Sequence, residues 1–268
     1  MLKSRLCIAF FAFAVGCAPA QKPLTDYVNP MLGTATLWDS VDLGFKPTKR
    51  TWGAEVFPGS SLPNAMVQVS PVTKFHSGAG YQYEDSVIYG FTHTNKGHWN
   101  LCHIPLLPVT GTPTPGDYCS PFSHERESAA PGYYQVFLDR YGVDAQLSST
   151  LRCAFHKYTY PAGAAASLLA DLQRSNEHVR AWDIRKEGDN VFAGWQQTGE
   201  KMYFYAVANR PVTGIEPVVE GDREVRIVRF GEGDGALELR IGFSFVSEKN
   251  ARENLEAEML GKSFAEVR

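Results

Sequence analysis

The 268-residue sequence lacks an excess of positive charge, because 26 Lys and Arg stand against 29 Asp and Glu. A protein that binds along a phosphate backbone draws much of its affinity from clustered basic side chains. The charge balance therefore excludes nucleic acid as an expected partner. Low-complexity composition is missing too, since 44% of the residues are hydrophobic and 21% are charged. This composition indicates a folded protein with a sizeable core.

Cysteine is scarce, and only Cys102, Cys119 and Cys153 follow residue 20. Three thiols allow at most one disulfide, and the sequence leaves the pair open. The sequence also contains no Gly-x-Ser-x-Gly elbow, no P-loop and no Rossmann glycine pattern. The chain thus carries no signature of a serine hydrolase or of a nucleotide-binding enzyme.

A long apolar run occurs at the N-terminus, where Lys3 and Arg5 precede apolar residues 6–15. The run is too short for a mature membrane helix and is typical of a signal peptide, predicted over residues 1–20. It ends in Ala14-Val15-Gly16-Cys17, which resembles the cleavage box of bacterial lipoproteins. A lipid on Cys17 would anchor the protein to the outer membrane or cell surface. Ordinary cleavage after Ala20 is the alternative, and it gives a soluble periplasmic protein.

Glycine and proline are abundant, at 24 and 16 residues, and suit turns between short strands better than helices. Segments with period-2 hydrophobic alternation are separated by turn residues. The predicted strands lie at 66–69, 87–91, 104–109, 134–138, 143–147, 153–158, 167–172, 179–184, 191–197, 202–208, 224–230 and 237–245. About a dozen strands fit an all-β fold, a two-sheet antiparallel β-sandwich over residues 21–246.

The C-terminal segment 247–268 differs in character, with no proline and a single glycine. Ala251, Leu255 and Met259 recur at helical spacing, and Ser247 is placed to cap the N-terminus of a helix. We therefore expect a charged helix after the sandwich, and its position indicates an interdomain linker.

Aromatic and polar residues are concentrated in segments 80–85 and 91–100. A sugar ring needs an aromatic surface for its C–H face and fixed donors and acceptors for its hydroxyls. Trp99, in a glycine-containing loop, is the residue favoured for ligand contact, with His93, Asn95 and His98 as polar neighbours. The alternative for the preceding aromatic residues is a sheet face, and this applies to Tyr81, Tyr83, Tyr89 and Phe91.

A second cluster in segment 50–60 holds Trp52, Glu55 and Phe57 between turn-forming glycine and proline. A packed surface loop is the alternative interpretation of this cluster. A metal is not expected from these residues, since the spacing of His93, His98, Cys102 and His103 matches no structural zinc site. Glycoside hydrolysis needs two carboxyl groups beside the scissile bond. The acids within the aromatic clusters are Glu55, Glu84 and Asp85.

The order of several short motifs supports a more specific assignment. They are Tyr27-Val28-Asn29-Pro30-Met31-Leu32-Gly33-Thr34, Phe57-Pro58-Gly59, Met66-Val67-Gln68-Val69-Ser70-Pro71, Gly80-Tyr81-Gln82-Tyr83, Ile88-Tyr89-Gly90-Phe91-Thr92-His93-Thr94, Leu107-Pro108-Val109-Thr110-Gly111, Phe122-Ser123-His124-Glu125 and Pro131-Gly132-Tyr133-Tyr134. The series resembles the N-terminal domain of glycoside hydrolase family 92, the calcium-dependent exo-acting α-mannosidases of bacteria.

This resemblance implies a supersandwich-like N-terminal domain, a helical linker and a larger (α/α)6 catalytic domain. It implies inversion at α-linked mannose, with a glutamic acid as general acid, an aspartate as general base and Ca2+ holding two mannose hydroxyls. Those groups belong to the (α/α)6 domain, so the resemblance implies that this chain supplies no catalytic residue and binds no Ca2+ by itself. We therefore expect the chain alone to be inactive. Together with the (α/α)6 domain, we expect it to act on α-mannoside glycans such as N-glycan or mannan chains.

Two segments differ from the commoner family pattern, the long stretch 35–55 and the segment 95–100. Both fall in loops expected to face the partner domain. The resulting hypothesis is that Trp99 stacks on a sugar near the domain interface, beside Asn95, His98 and Glu55. The alternatives are a non-catalytic carbohydrate-binding or scaffold lipoprotein, and one half of a split enzyme.

Overall fold

The structure is a computed structural model that describes residues 22–37, 44 and 56–268. The predicted signal peptide, the lipidation site Cys17 and the site candidates Trp52 and Glu55 lie outside the described residues. These predictions therefore stay predictions.

The described residues form mainly β-strands, with two short 3-10 helices at Leu24–Tyr27 and His124–Arg126. The strands are β1 (Ser60–Ser61), β2 (Gln68–Val72), β3 (Val87–Ile88), β4 (Gly90–Thr92), β5 (Asn95–Lys96), β6 (Trp99–Asn100), β7 (Leu106–Val109), β8 (Ser120–Pro121), β9 (Glu127–Ala130), β10 (Tyr133–Leu138), β11 (Val143–Ser149), β12 (Cys153–Thr159), β13 (Ser167–Ala170), β14 (Ala181–Gly188), β15 (Val191–Gln197), β16 (Lys201–Ala208), β17 (Val212–Glu220), β18 (Arg223–Phe230) and β19 (Leu237–Ser244). Two α-helices follow, α1 (Glu248–Glu258) and α2 (Phe264–Val267).

Two antiparallel sheets build the domain. One has the strand order β1-β2-β4-β7-β13-β18-β17, and the other has the order β14-β15-β16-β19-β12-β11-β10-β9. The pairs β3-β8 and β5-β6 form two small additional ribbons. The predicted all-β sandwich is confirmed.

The core lies between the inner faces of the two sheets. Phe91 of the first sheet contacts the rings of Tyr134, His156 and Tyr158 of the second at centroid distances of 6.2–6.4 Å. Inward-facing apolar residues alternate with outward-facing residues along the strands, as predicted for the 134–138 and 143–147 segments. Burial of these aliphatic and aromatic side chains is the main stabilising contribution to the fold.

Strand β12, predicted at 153–158, carries apolar residues on both of its faces. Tyr158 belongs to the core between the sheets, whereas Cys153 and Phe155 lie on the outer face beneath the C-terminal helices. Both faces of β12 are therefore buried, and a strand that is apolar on both faces loses the alternation that reveals its register.

Strand β17 was not predicted, because it contains Gly214 and Pro217. It pairs with β18 alone, at the edge of the first sheet, with a register irregularity between Val212 and Gly214. Proline lacks the N–H that an interior strand needs, so an edge position is where such a strand is tolerated.

The predicted C-terminal helix forms, with the Ser247 side chain accepting a hydrogen bond from the Asn250 backbone N–H at 3.1 Å. It ends earlier than predicted, since Gly261 takes a left-handed φ of 80° and a separate helix α2 follows. Helix α1 lies directly on β19: a Cβ added to Gly242 would come within 2.1 Å of the Ala251 carbonyl oxygen. Any larger residue at 242 would push the helix away from the sheet.

Cys102, Cys119 and Cys153 are free thiols in this structure. Burial raises the pKa of the Cys102 and Cys153 thiols, which keeps both of them protonated and unreactive. Within residues 22–37, 44 and 56–268, no helix is both long and apolar enough to cross a bilayer.

Candidate functional site

The β5–β6 hairpin presents Trp99 at the surface. Lys96 pairs with Trp99 and Asn95 pairs with Asn100. Directly opposed residues of an antiparallel pair project to the same side, so Lys96 and Trp99 share one face and Asn95 and Asn100 share the other. Trp99 is 39% exposed, whereas Asn100 is fully buried. The hairpin thus turns an aromatic ring and an ammonium group outward.

The buried face of the hairpin is fixed by Asn100. Its Oδ1 accepts a hydrogen bond from the Cys102 backbone N–H at 2.7 Å, and its Nδ2 donates to the Thr92 hydroxyl at 3.2 Å. The Asn100 backbone N–H donates to the Gly78 carbonyl at 2.8 Å. These bonds hold the base of the hairpin against strand β4 and the 73–80 loop.

The backbone that follows the hairpin is strained. Cys102 and Ile104 adopt φ values of 54° and 53°, a left-handed conformation that is unusual for a β-branched residue such as Ile104. Such strain persists where surrounding bonds over-determine it, and it clusters at functional sites. Here the buried Gln196 side chain accepts from the Ile104 N–H at 2.8 Å, and the Ser175 hydroxyl donates to the Leu101 carbonyl at 2.7 Å.

A carboxylate lies beside this segment. Glu177 Oε2 accepts a hydrogen bond from the Thr198 hydroxyl at 2.7 Å and lies 3.2 Å from His103 Nε2. The Thr198 hydroxyl, the His103 ring and the Lys96 ammonium together hold the pKa of Glu177 below its usual value. Burial lowers the pKa of His103, so His103 is neutral and the charge on Glu177 is retained. The Glu177 side chain is 41% exposed.

Segment 174–178 was not singled out from the sequence, although it joins the site through Glu177. Asn176 Nδ2 donates to the Asn100 carbonyl at 2.6 Å, which ties the segment to the hairpin 76 residues earlier in the chain. The available signal was the polar run Arg174-Ser175-Asn176-Glu177-His178 after a buried strand, since polar loops on a rigid scaffold often carry function.

The structure places three of the predicted site residues in one hairpin. His98 and Trp99 are exposed there. Asn95 is on the opposite face from Trp99, with both atoms of its amide buried and lacking a hydrogen-bond partner within the described chain. Phe57 is half-buried just before β1, at the C-terminal end of β2, whereas the hairpin follows β4 at the N-terminal end of β2, so the strand register places the two at opposite ends of β2.

His93 does not fit its predicted role as a substrate contact, because it is fully buried between the sheets. Its ring lies 4.6 Å from the Phe243 ring, and its Nε2 is 3.2 Å from Nε2 of His156, which is also fully buried. Burial lowers the pKa of His93 to about 3 and lowers that of His156 well below its usual value, so both imidazoles are neutral. His93 is a core residue of the sandwich.

Three of the recognised motifs meet at Glu127, whose side chain is 1% exposed. The Tyr81 hydroxyl lies 2.9 Å and the Tyr134 hydroxyl 2.6 Å from its carboxylate oxygens. His124 Nδ1 is 2.6 Å from the same carboxylate, and the Tyr83 ring stacks on His124 at 3.9 Å. Tyr81 is therefore an internal residue, whereas Tyr83 is 40% exposed.

The two described acids of the aromatic clusters bind the surrounding loops. Glu84 Oε1 accepts from the Thr36 backbone N–H at 2.6 Å, and Asp85 Oδ2 accepts from the Thr73 hydroxyl at 2.8 Å. Across the described residues, no group of three or more His, Cys, Asp or Glu side chains is arranged to hold a metal ion.

The comparisons with known proteins agree with the fold. The model of the glycosyl hydrolase family 92 N-terminal domain matches residues 27–252. The family GH92 α-mannosidase BT3965 from Bacteroides thetaiotaomicron aligns with a TM-score of 0.79 and 26% identity, covering 93% of this chain and 37% of the solved one. The GH92 inverting mannosidase BT2199 from Bacteroides thetaiotaomicron VPI-5482 has a TM-score of 0.74 and 22% identity, over 92% and 35% of the two chains.

A third solved structure, the GH92 family glycosyl hydrolase ccman5, has a TM-score of 0.73 at 24% identity and covers 91% of this chain and 35% of its own. The chain thus spans little more than a third of the length of the solved proteins that it resembles. None of the curated proteins compared with the chain matches it.

Proposed function

The chain belongs to glycosyl hydrolase family 92, whose N-terminal domain it carries, and from this premise we propose that it forms the non-catalytic side of the substrate pocket of an inverting α-mannosidase. The observation that carries the proposal is the rigid β5–β6 hairpin, which exposes the Trp99 ring over a strained and heavily hydrogen-bonded base. An exposed tryptophan offers the apolar surface on which the C–H face of a pyranose stacks.

The proposed substrates are α-mannosides such as N-glycan or mannan chains. The general acid, the general base and the Ca2+ ion of the reaction are assigned to an (α/α)6 domain, in the same polypeptide or in a separate chain. Cys17 is proposed to carry the lipid that anchors the exported protein at the outer membrane. Family membership supports the first two assignments, and the sequence at 14–17 supports the third.

Because the catalytic groups are assigned to the (α/α)6 domain, we expect no turnover by the 268-residue chain. Aryl α-mannoside and α-mannobiose are to be incubated with the purified protein and Ca2+, and released mannose quantified. We expect a rate indistinguishable from buffer, because the described residues hold no assigned pair of catalytic carboxylates. Turnover that co-purifies with the chain through successive columns and is lost in the Trp99→Ala variant would contradict the proposal.

Saccharide binding by the chain is the positive test of the same proposal. We expect Trp99→Ala to weaken α-mannobiose binding by up to about tenfold in isothermal titration, since a stacked ring contributes about 0.5–1.5 kcal/mol. Trp195→Ala is the matched control: this half-buried ring lies on β15 with the Lys201 ammonium 3.8 Å from its centroid. Equal affinity of the wild type and Trp99→Ala would remove the hairpin from the site.

A further inference from the structure

We propose that Glu177 is the hydroxyl acceptor of the saccharide site, a specificity-determining residue opposite the Trp99 ring. The inference rests on the proposed function, because it takes the ligand of the hairpin to be a neutral sugar. It adds a polar wall, formed by Glu177 and Lys96, to the apolar surface of Trp99.

The hairpin and the loop that carries Glu177 are neighbours in the fold. Lys96 and Trp99 are directly opposed and project to one side of the β5–β6 ribbon. The Lys96 ammonium is one of the groups that lower the pKa of Glu177, so the carboxylate is within electrostatic range of the hairpin. The neighbouring Asn176 binds the Asn100 carbonyl at 2.6 Å, which keeps Glu177 beside the base of the hairpin.

The Glu177 carboxylate is oriented before any ligand arrives. Both described hydrogen-bond partners, the Thr198 hydroxyl and His103 Nε2, contact Oε2. His103 is itself held by the Thr94 hydroxyl, which lies 2.9 Å from its Nδ1, and is 2% exposed. Within the described chain no donor is bonded to Oε1, so this oxygen of a 41% exposed side chain is available to a ligand.

The charge of Glu177 suits a hydroxyl group. Neutral His103 orients the carboxylate without cancelling its charge. The cation that acts on Glu177 is the ammonium group of Lys96. An O–H donated to a carboxylate gives a shorter and stronger hydrogen bond than one donated to a neutral oxygen. A pyranose stacked on Trp99 would be recognised by Glu177 through one of its free hydroxyl groups.

The test compares Glu177→Gln with the wild type against α-mannobiose and a set of its monodeoxy analogues, by isothermal titration. We expect Glu177→Gln to weaken α-mannobiose binding about tenfold, since a hydrogen bond to a charged group contributes about 1.5–3 kcal/mol. The loss should disappear for the one analogue that lacks the accepted hydroxyl. Glu200→Gln is the matched control, because Glu200 is an exposed acid in the turn that follows Thr198.

The outcomes separate this inference from the proposed function. A loss on Trp99→Ala without a loss on Glu177→Gln overturns the role of Glu177 and leaves the site in place. An equal loss for every deoxy analogue also overturns it, because a purely structural role would weaken all ligands alike. No loss in either variant contradicts the proposed function itself. Thermal unfolding of each variant shows that the comparison is made between folded proteins.

Discussion

Replacing Glu127 by alanine should lower the free energy of unfolding by about 4 kcal/mol, since two buried tyrosine hydroxyls lose their acceptor and each such loss costs about 1–3 kcal/mol. The carboxylate is 1% exposed and is bound by Tyr81, Tyr134 and His124. Burial, followed by the nearby Glu127 carboxylate, raises the pKa of both tyrosines, so their hydroxyls stay protonated and serve as hydrogen-bond donors to Glu127. In the alanine variant these hydroxyls lose their acceptor inside the fold.

Urea denaturation of the wild type and three variants checks this expectation. Glu125→Ala is the control: Glu125 is exposed and lies two residues earlier, so its loss should change the unfolding free energy by less than about 0.5 kcal/mol. Tyr134→Phe removes a single donor and should cost about 1–2 kcal/mol. A Glu127→Ala variant as stable as Glu125→Ala would show that the cluster contributes nothing to the fold.

Acidification should destabilise the domain through its buried histidines. The folded-state pKa of His93 is lowered to about 3 and that of His156 is also lowered, both by burial. The unfolded chain therefore binds more protons than the folded one below an unfolded pKa of about 6.5, and stability falls as the pH falls from there towards the folded pKa. Two such histidines remove about 4 kcal/mol between pH 8 and pH 5.

The variant His156→Phe isolates this effect. It should lose stability at pH 8, because Tyr158 and His93 lose their partner at His156, yet its further loss between pH 8 and pH 5 should be about 2 kcal/mol smaller than that of the wild type. Unfolding free energies from urea titrations at the two pH values give this double difference directly. Identical losses in the two proteins would mean that His156 takes up its proton without unfolding.

Strand alternation and helix capping made much of the architecture predictable. The β15 prediction of 191–197 coincides with the observed strand, and Ser247 caps α1 as expected. Prediction failed where tertiary contacts override local pattern. Strand β12 is apolar on both faces because the C-terminal helices cover one of them, and β17 keeps Gly214 and Pro217 because it lies at an edge.

The candidate site could be predicted only where a local sequence pattern reveals it. Trp99 could be singled out because it lies close to Gly97 among polar residues. In the structure it directly follows the turn of the β5–β6 hairpin. His93 has the residue type of a ligand, but its position directly after β4 buries it against His156, which comes 63 residues later. Glu177 enters the site through hydrogen bonds to His103 and Thr198, which lie 74 and 21 residues away in sequence. No local pattern encodes such contacts.

The end of β19 lies between the segment that follows the β5–β6 hairpin and the C-terminal helix. Phe245 contacts the His103 ring at 6.4 Å, and two residues later Ser247 caps α1, which rests on Gly242 without an intervening side chain. Among the described residues, no side chain lies between α1 and Gly242 that could change its rotamer, so the position of α1 follows the backbone of β19. A side chain introduced at 242 would therefore change the orientation of every residue after Ser247 relative to the second sheet.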